Sequence, residues 1–235
     1  EDKARNFGRK FGSAPSVYVG KPEAAYSKED GVTDRDLLAM INKTRAGTDS
    51  ADVSGCYLLR GADEEPKAFL QRVEGIISKS IKSGFFPLLD LRSSKPVLES
   101  DGVIRWNKIA GHWVCVVEVQ HVAEDLLVLR VADSNTGKIV SLVLHCDLPS
   151  RAVVPMSPTY NDKGVFKWEW EEGGRCLFVC APSLSVGRSE VKWYERSYLS
   201  ACYVIGNNVA PQKQLLKSGR RKILTPTHTT GHTGP

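Results

Sequence analysis

Two apolar runs carry the residues best suited to chemistry. His112 opens the first, Gly111–Val119 (GHWVCVVEV), and Asp133 lies near the end of the second, Leu126–Gly137 (LLVLRVADSNTG). An imidazole exchanges protons near neutral pH. A carboxylate on one ring nitrogen fixes the tautomer that leaves the other free to accept a proton. The short polar stretch QHVAED between the runs predicts a turn joining adjacent antiparallel strands. In such a pair the first residue of one strand lies beside the last of the next. Topology alone therefore places His112 beside Asp133, as a candidate general base and its orienter. Ser134 and Asn135 are placed to assist by hydrogen bonding. The structural alternative is an edge histidine followed by an ordinary Asp-Ser-Asn-Thr-Gly turn.

A base of this kind serves a nucleophile, and a thiol is the one most readily activated. Of six cysteines, Cys56 alone precedes His112, in ADVSGCYLLRG. Cys56 is the predicted nucleophile of a catalytic set Cys56, His112 and Asp133. Three alternatives stay open. The nucleophile is absent or replaced, with Ser13, Ala14 and Ser16 in the region where a long N-terminal helix would begin. It is a later cysteine, Cys176, Cys180 or Cys202. Or the fold serves a non-catalytic role. The chain starts at Glu1 without a methionine, which reads as a fragment or a processed product.

From Ile76 to Gly137 the succession of segments resembles the papain-like cysteine peptidases, especially the bacteriocin-processing peptidases and the YopT-like effectors. IISKSIKSGFFPLLDL is similar to their helix and following strand, GHWVCVVEV to their Gly-His strand, and LLVLRVADSNTG to their strand ending in aspartate. The resemblance implies a papain-like core and thiol cleavage of peptide bonds, with His112 as base and Asp133 as orienter. The chain departs from the pattern at the nucleophile. Those enzymes set their cysteine at the start of a long helix, often with a glutamine upstream. Cys56 has no such glutamine, and Gly61 and Pro66 leave room for only a short helix after it. His-Trp-Val with a later Asp-Ser also resembles the SUMO-protease group, but the Asp-Cys-Gly motif of that group is absent.

The elements that must position these residues read as helices first and strands afterwards. Thr33 with Asp36 predicts a capping box, and Leu37, Leu38, Met40 and Ile41 give one apolar face, ending near Gly47. A short strand or buried helix start is expected around Cys56–Leu59. Pro66 opens a second helix whose apolar positions run from Phe69 to Ile81, with Gly84 as its cap. Phe85–Leu91 predicts an edge or entry strand containing Pro87, and Arg92–Ala110 a mixed loop carrying Trp106. Strands follow at His112–Val119, Leu126–Ala132 and Ile139–Cys146. Later ones are expected at Val165–Trp170, at Arg175–Ala181 after an EEGG hairpin turn, and at Tyr198–Ile205. The fold class is α+β, with N-terminal helices packed on an antiparallel sheet of six or seven strands. The expected divisions are an extended arm (1–31), a helix-plus-sheet core (32–154), a β-rich continuation or subdomain (155–210) and a flexible tail (211–235).

Bulk properties narrow the partners. The chain has 235 residues, 41% of them apolar, and a net charge of +5 spread along its length. Nucleic-acid binding is disfavoured, because Arg220, Arg221 and Lys222 form the only tight basic cluster. No run reaches the roughly 18 apolar residues of a membrane helix. Cys176 and Cys180 fall on one face of a strand, about 13 Å apart, too far to share a zinc ion; no metal and no cofactor is expected. Cysteines within apolar runs suggest free thiols and a cytoplasmic setting. Trp168, Trp170, Trp193, Tyr194 and Tyr198 mark a C-terminal aromatic sheet as a possible protein-partner surface. The function expected is a cysteine protease acting on a polypeptide substrate. The alternatives are a non-catalytic papain-like interaction module and a thiol-dependent acyltransferase.

Overall fold

The computed structural model of the chain describes residues 15–17, 26–27, 31–48, 52–123, 125–146, 152–160, 166–172, 175–180, 198–207 and 209. The order of elements is β1 (Tyr26–Ser27), β2 (Gly31–Val32), α1 (Asp34–Arg45), β3 (Ser54–Tyr57), α2 (Pro66–Lys82), β4 (Leu88–Leu98) and β5 (Ile104–Val122). There follow β6 (Leu126–Asp133), β7 (Ile139–His145), β8 (Ala152–Tyr160), β9 (Phe166–Glu172), β10 (Leu177–Cys180) and β11 (Tyr198–Gly206). This is an α+β fold. The predicted arm and tail lie largely or wholly outside the described residues.

Both helices form where their apolar spacing requires. Phe69, Leu70, Val73 and Ile77 recur along one side of α2 and are wholly buried. Each such side chain contributes roughly 1.5–3 kcal/mol by leaving water. Pro66 stands in the first turn of α2, where a missing N–H costs nothing. Gly84 leaves the helix with φ +81°. At the start of α1 the Thr33 hydroxyl donates to the Asp36 carboxylate at 2.8 Å. It makes no side-chain bond to the helix backbone, so the expected capping box is replaced by a bond between the two side chains.

Nine strands form one sheet, antiparallel except where β8 runs beside β5. Strands β4, β5, β6, β7, β10 and β11 pair in sequence, and β11 pairs back onto β4, so these six ladders close into a ring. β3 adds to β11, and β8 with β9 adds to the start of β5. The α2 side of the sheet is apolar, with Leu89, Leu91, Val114, Leu129 and Leu142 packed against the helix. On the opposite side Leu37 of α1 packs with Val53, Tyr203, Ile205, Leu88 and Trp113.

Three local expectations change. Arg92–Ala110 is not a loop: β4 runs on to Leu98, and a turn with Gly102 at φ +78° starts β5 at Ile104. The Asp101-Gly102 pair is a hairpin signal. Pro96 is tolerated because β11 stops at the rung Tyr198–Ser94, leaving Pro96 paired on one side only. The EEGG segment does not close a hairpin, since β9 pairs with β8 whereas β10 pairs with β7 and β11. The aromatic partner surface is also corrected. Phe178 and Tyr203, the C-terminal aromatics whose side chains are described, are buried against Trp106 and Tyr57. Among the described residues no aromatic cluster faces outward on the C-terminal strands. Trp193 and Tyr194 lie outside the described residues.

One buried ionic cluster ties α1 to the sheet. Arg92 on β4 is 3% exposed; its Nη2 lies 2.6 Å from Asp90 Oδ2 and 3.9 Å from Asp34 Oδ2. The Tyr57 hydroxyl donates to the same Asp34 carboxylate. Burial opposes the guanidinium charge, but Asp90, Cys202 and Asp34 outweigh it and push the Arg92 pKa above its ordinary value. Replacing Arg92 by Leu removes the guanidinium that both buried carboxylates face. In urea unfolding, R92L should lose about 3–5 kcal/mol. The same change at the exposed Arg130, paired with Glu118 at 3.5 Å, should cost under about 1 kcal/mol.

Candidate active site

His112 and Asp133 meet where β6 ends. Val114 stands opposite Asp133 on the β5–β6 ladder, and His112 stands opposite Leu91 on the β4–β5 ladder. His112 and Asp133 are therefore diagonal neighbours on the α2 side of the sheet. His112 Nε2 lies 2.7 Å from Asp133 Oδ1. Both side chains are buried, at 6% and 1% exposure.

The turn after β6 shapes the carboxylate. Asp133 Oδ1 also accepts the Asn135 backbone N–H at 3.0 Å, and Oδ2 accepts the Thr136 hydroxyl at 2.8 Å. Gly137 takes φ +68°, which lets its N–H return to the Asp133 carbonyl at 2.8 Å. Burial raises the Asp133 pKa, but the Asn135 N–H, the Thr136 hydroxyl and His112 together hold the carboxyl below its usual range. An ionised carboxylate only accepts hydrogen bonds, so Nε2 carries the proton and the lone pair of the neutral ring sits on Nδ1. Among the described residues no group hydrogen-bonds Nδ1. Asn135 contributes its backbone rather than its side chain. The Ser134 hydroxyl donates instead to the Trp113 carbonyl, at 3.0 Å. Thr136 is a contributor that the sequence reading missed; an Asp-x-x-Thr turn is its local signature.

Cys56 is elsewhere. It stands opposite Val204 on β11, which stands opposite Leu89 on β4, which stands opposite Val114 on β5. Three strand spacings, roughly 14 Å along the sheet, separate it from the rung next to His112. It is buried in the α2-side core with Val204, Leu89 and Leu91, and no hydrogen bond joins it to His112. Burial pushes its thiol up to about 11, with Arg72 pulling weakly the other way. A protonated core thiol is a poor nucleophile. The structure brings His112 and Asp133 together and leaves Cys56 apart, because hydrophobic packing against α2 decides which way β3 faces. Of the later cysteines, Cys176 and Cys202 are buried and Cys180 is exposed on β10. Among the described residues no three His, Cys, Asp or Glu side chains converge on a metal position, and no helix is long and apolar enough to cross a membrane.

Beside the pair, on the α1 side of the sheet, opens a cleft of about 500 Å³ whose lining includes Val32, Leu37, Leu88, Trp113, Cys115 and Ser134. Its walls are nearly all apolar. The alternation of strand residues puts Trp113 and Cys115 here and His112 on the other side.

Two measurements test this geometry. In native protein at pH 8, iodoacetamide should alkylate the exposed Cys180 and spare Cys56 until the chain unfolds, as read by peptide mass spectrometry. The lowered Asp133 pKa stabilises the fold above the unfolded carboxyl pKa, and that contribution is lost as pH falls through the folded value. The urea midpoint of the wild type should therefore fall further between pH 6 and pH 3 than that of Asp133→Asn.

Comparison of the chain with protein families, with curated proteins and with solved structures finds no match in any of the three.

Proposed function

We propose that this domain acts on polypeptides through a general base, His112, held by Asp133 in a papain-like core, and that Cys56 is not the nucleophile it serves. One observation carries the reading: the 2.7 Å bond from Nε2 to a carboxylate that also accepts from the Asn135 N–H and the Thr136 hydroxyl. That bond leaves Nδ1 as the basic nitrogen. A nucleophile approaching Nδ1 would give up its proton there, and Asp133 would stabilise the imidazolium that forms. The chemistry is acyl transfer at a peptide or ester carbonyl, whether the nucleophile is a thiol or a water molecule. The unbridged cysteines suit a reducing compartment such as the cytoplasm.

A second reading has support from the cysteine positions. A domain that keeps the base and its orienter, with the sole upstream thiol in its core, would bind polypeptide without cleaving it.

Hydrolysis of p-nitrophenyl acetate and of a mixed peptide pool separates the two. The catalytic reading expects His112→Ala to lower the wild-type rate roughly 10²–10⁴-fold and Cys56→Ser to leave it unchanged. A wild-type rate no higher than that of His112→Ala would leave only the binding role.

A further inference from the structure

β5 changes partners beside His112. On its β6 side the ladder ends at Val114–Asp133, and the next pairing is with β8 at Arg105–Val153. Between those rungs no described strand pairs that side of β5. The direction of its main-chain groups is set by two bonds. Val116 N–H donates to the Pro87 carbonyl, towards β4, at 2.8 Å, whereas the Trp113 carbonyl turns the other way to accept from Ser134. Main-chain groups of a strand alternate in direction. The N–H of Trp113 and both the N–H and the carbonyl of Gly111 therefore point into the gap. Gly111 is exposed.

We propose that this gap receives one extended segment of the polypeptide substrate, hydrogen-bonded to Gly111 and Trp113, with an aromatic or branched aliphatic side chain in the Trp113–Cys115 cleft. The proposal rests on the reading of His112 as the base of a polypeptide-handling site and says how that substrate lies. A polypeptide backbone is the ligand that brings N–H and carbonyl groups at ladder spacing. Side chains of an added strand alternate between the two sides of the sheet. One residue of the segment then faces the His112 side, and its immediate neighbour faces the apolar cleft. The site thus selects for an apolar residue directly next to the residue presented to Nδ1. The cleft offers almost no polar group to a charged side chain.

The test uses the full chain and short fluorescein-labelled peptides, polar except for a central Phe, Leu or Ala, followed by fluorescence anisotropy. The Phe and Leu peptides should bind about tenfold or more tighter than the Ala peptide, the range expected for burying one large apolar side chain. N-methylation of the amide facing Gly111 should abolish the preference on wild-type protein. Gly111→Pro, which removes an N–H that β4 does not use, should do the same on the protein side. Equal binding of Phe and Ala peptides, binding indifferent to N-methylation, or occupation of the edge by a second copy of the chain in sedimentation would each overturn the proposal. His112→Ala separates the two readings. If it binds the Phe peptide like wild type and hydrolyses esters equally well, the base reading fails while the docked strand stands.

Discussion

The length of β5 is the constraint on which the rest depends. At 19 residues it is longer than any strand it meets, so its neighbours must change along its course. β4 accompanies it from Leu88 to Leu98, β6 pairs with its second half, and β8 touches only its first two residues. The place where β6 turns away is the place where His112 stands. A strand ending there frees the space that a diagonal side-chain bond needs, and Asp133 is the residue left at the end.

Two buried ionic groups sit on opposite sides of the sheet and differ in how they are satisfied. Arg92 is enclosed by Asp90 and Asp34, with Tyr57 completing the Asp34 side. Charges so placed attract strongly at low dielectric, and the cluster locks α1 onto β4. In the His112–Asp133 pair the carboxylate accepts three hydrogen bonds, and among the described residues none reaches Nδ1. Buried polar groups are normally paired; here two donors of the turn, the Asn135 N–H and the Thr136 hydroxyl, hold the carboxylate that the imidazole bonds.

Much of the scaffold was legible as pattern. The one-sided apolar spacing of Phe69, Leu70, Val73 and Ile77 determines α2 whatever surrounds it, and the alternation in LLVLRVAD determines β6. The nearness of His112 and Asp133 followed from strand order, because a hairpin brings those ends together wherever it packs. The long β4–β5 arm was obscured by Pro96 and a run of polar residues. Its strand character comes from pairing along β5, with Asp101-Gly102 as the only local sign. EEGG looked like a hairpin turn because its composition suits one. Turn chemistry cannot say whether the flanking strands pair with each other or with strands distant in sequence.

By itself the sequence determined α2, β6 and the nearness of His112 to Asp133, since each follows from interactions close along the chain. Only the tertiary structure decided that Cys56 stands apart from His112. Cys56 lies in the core because β3 pairs with β11 from the far end of the chain, and burial against α2 turns its thiol inward. That pairing depends on closure of the whole ring of strands, a sum of contacts distant in sequence that no local spacing records. Where the ladders on β5 end is likewise a property of the folded sheet: among the described residues no strand pairs Gly111 or Trp113 on the side away from β4.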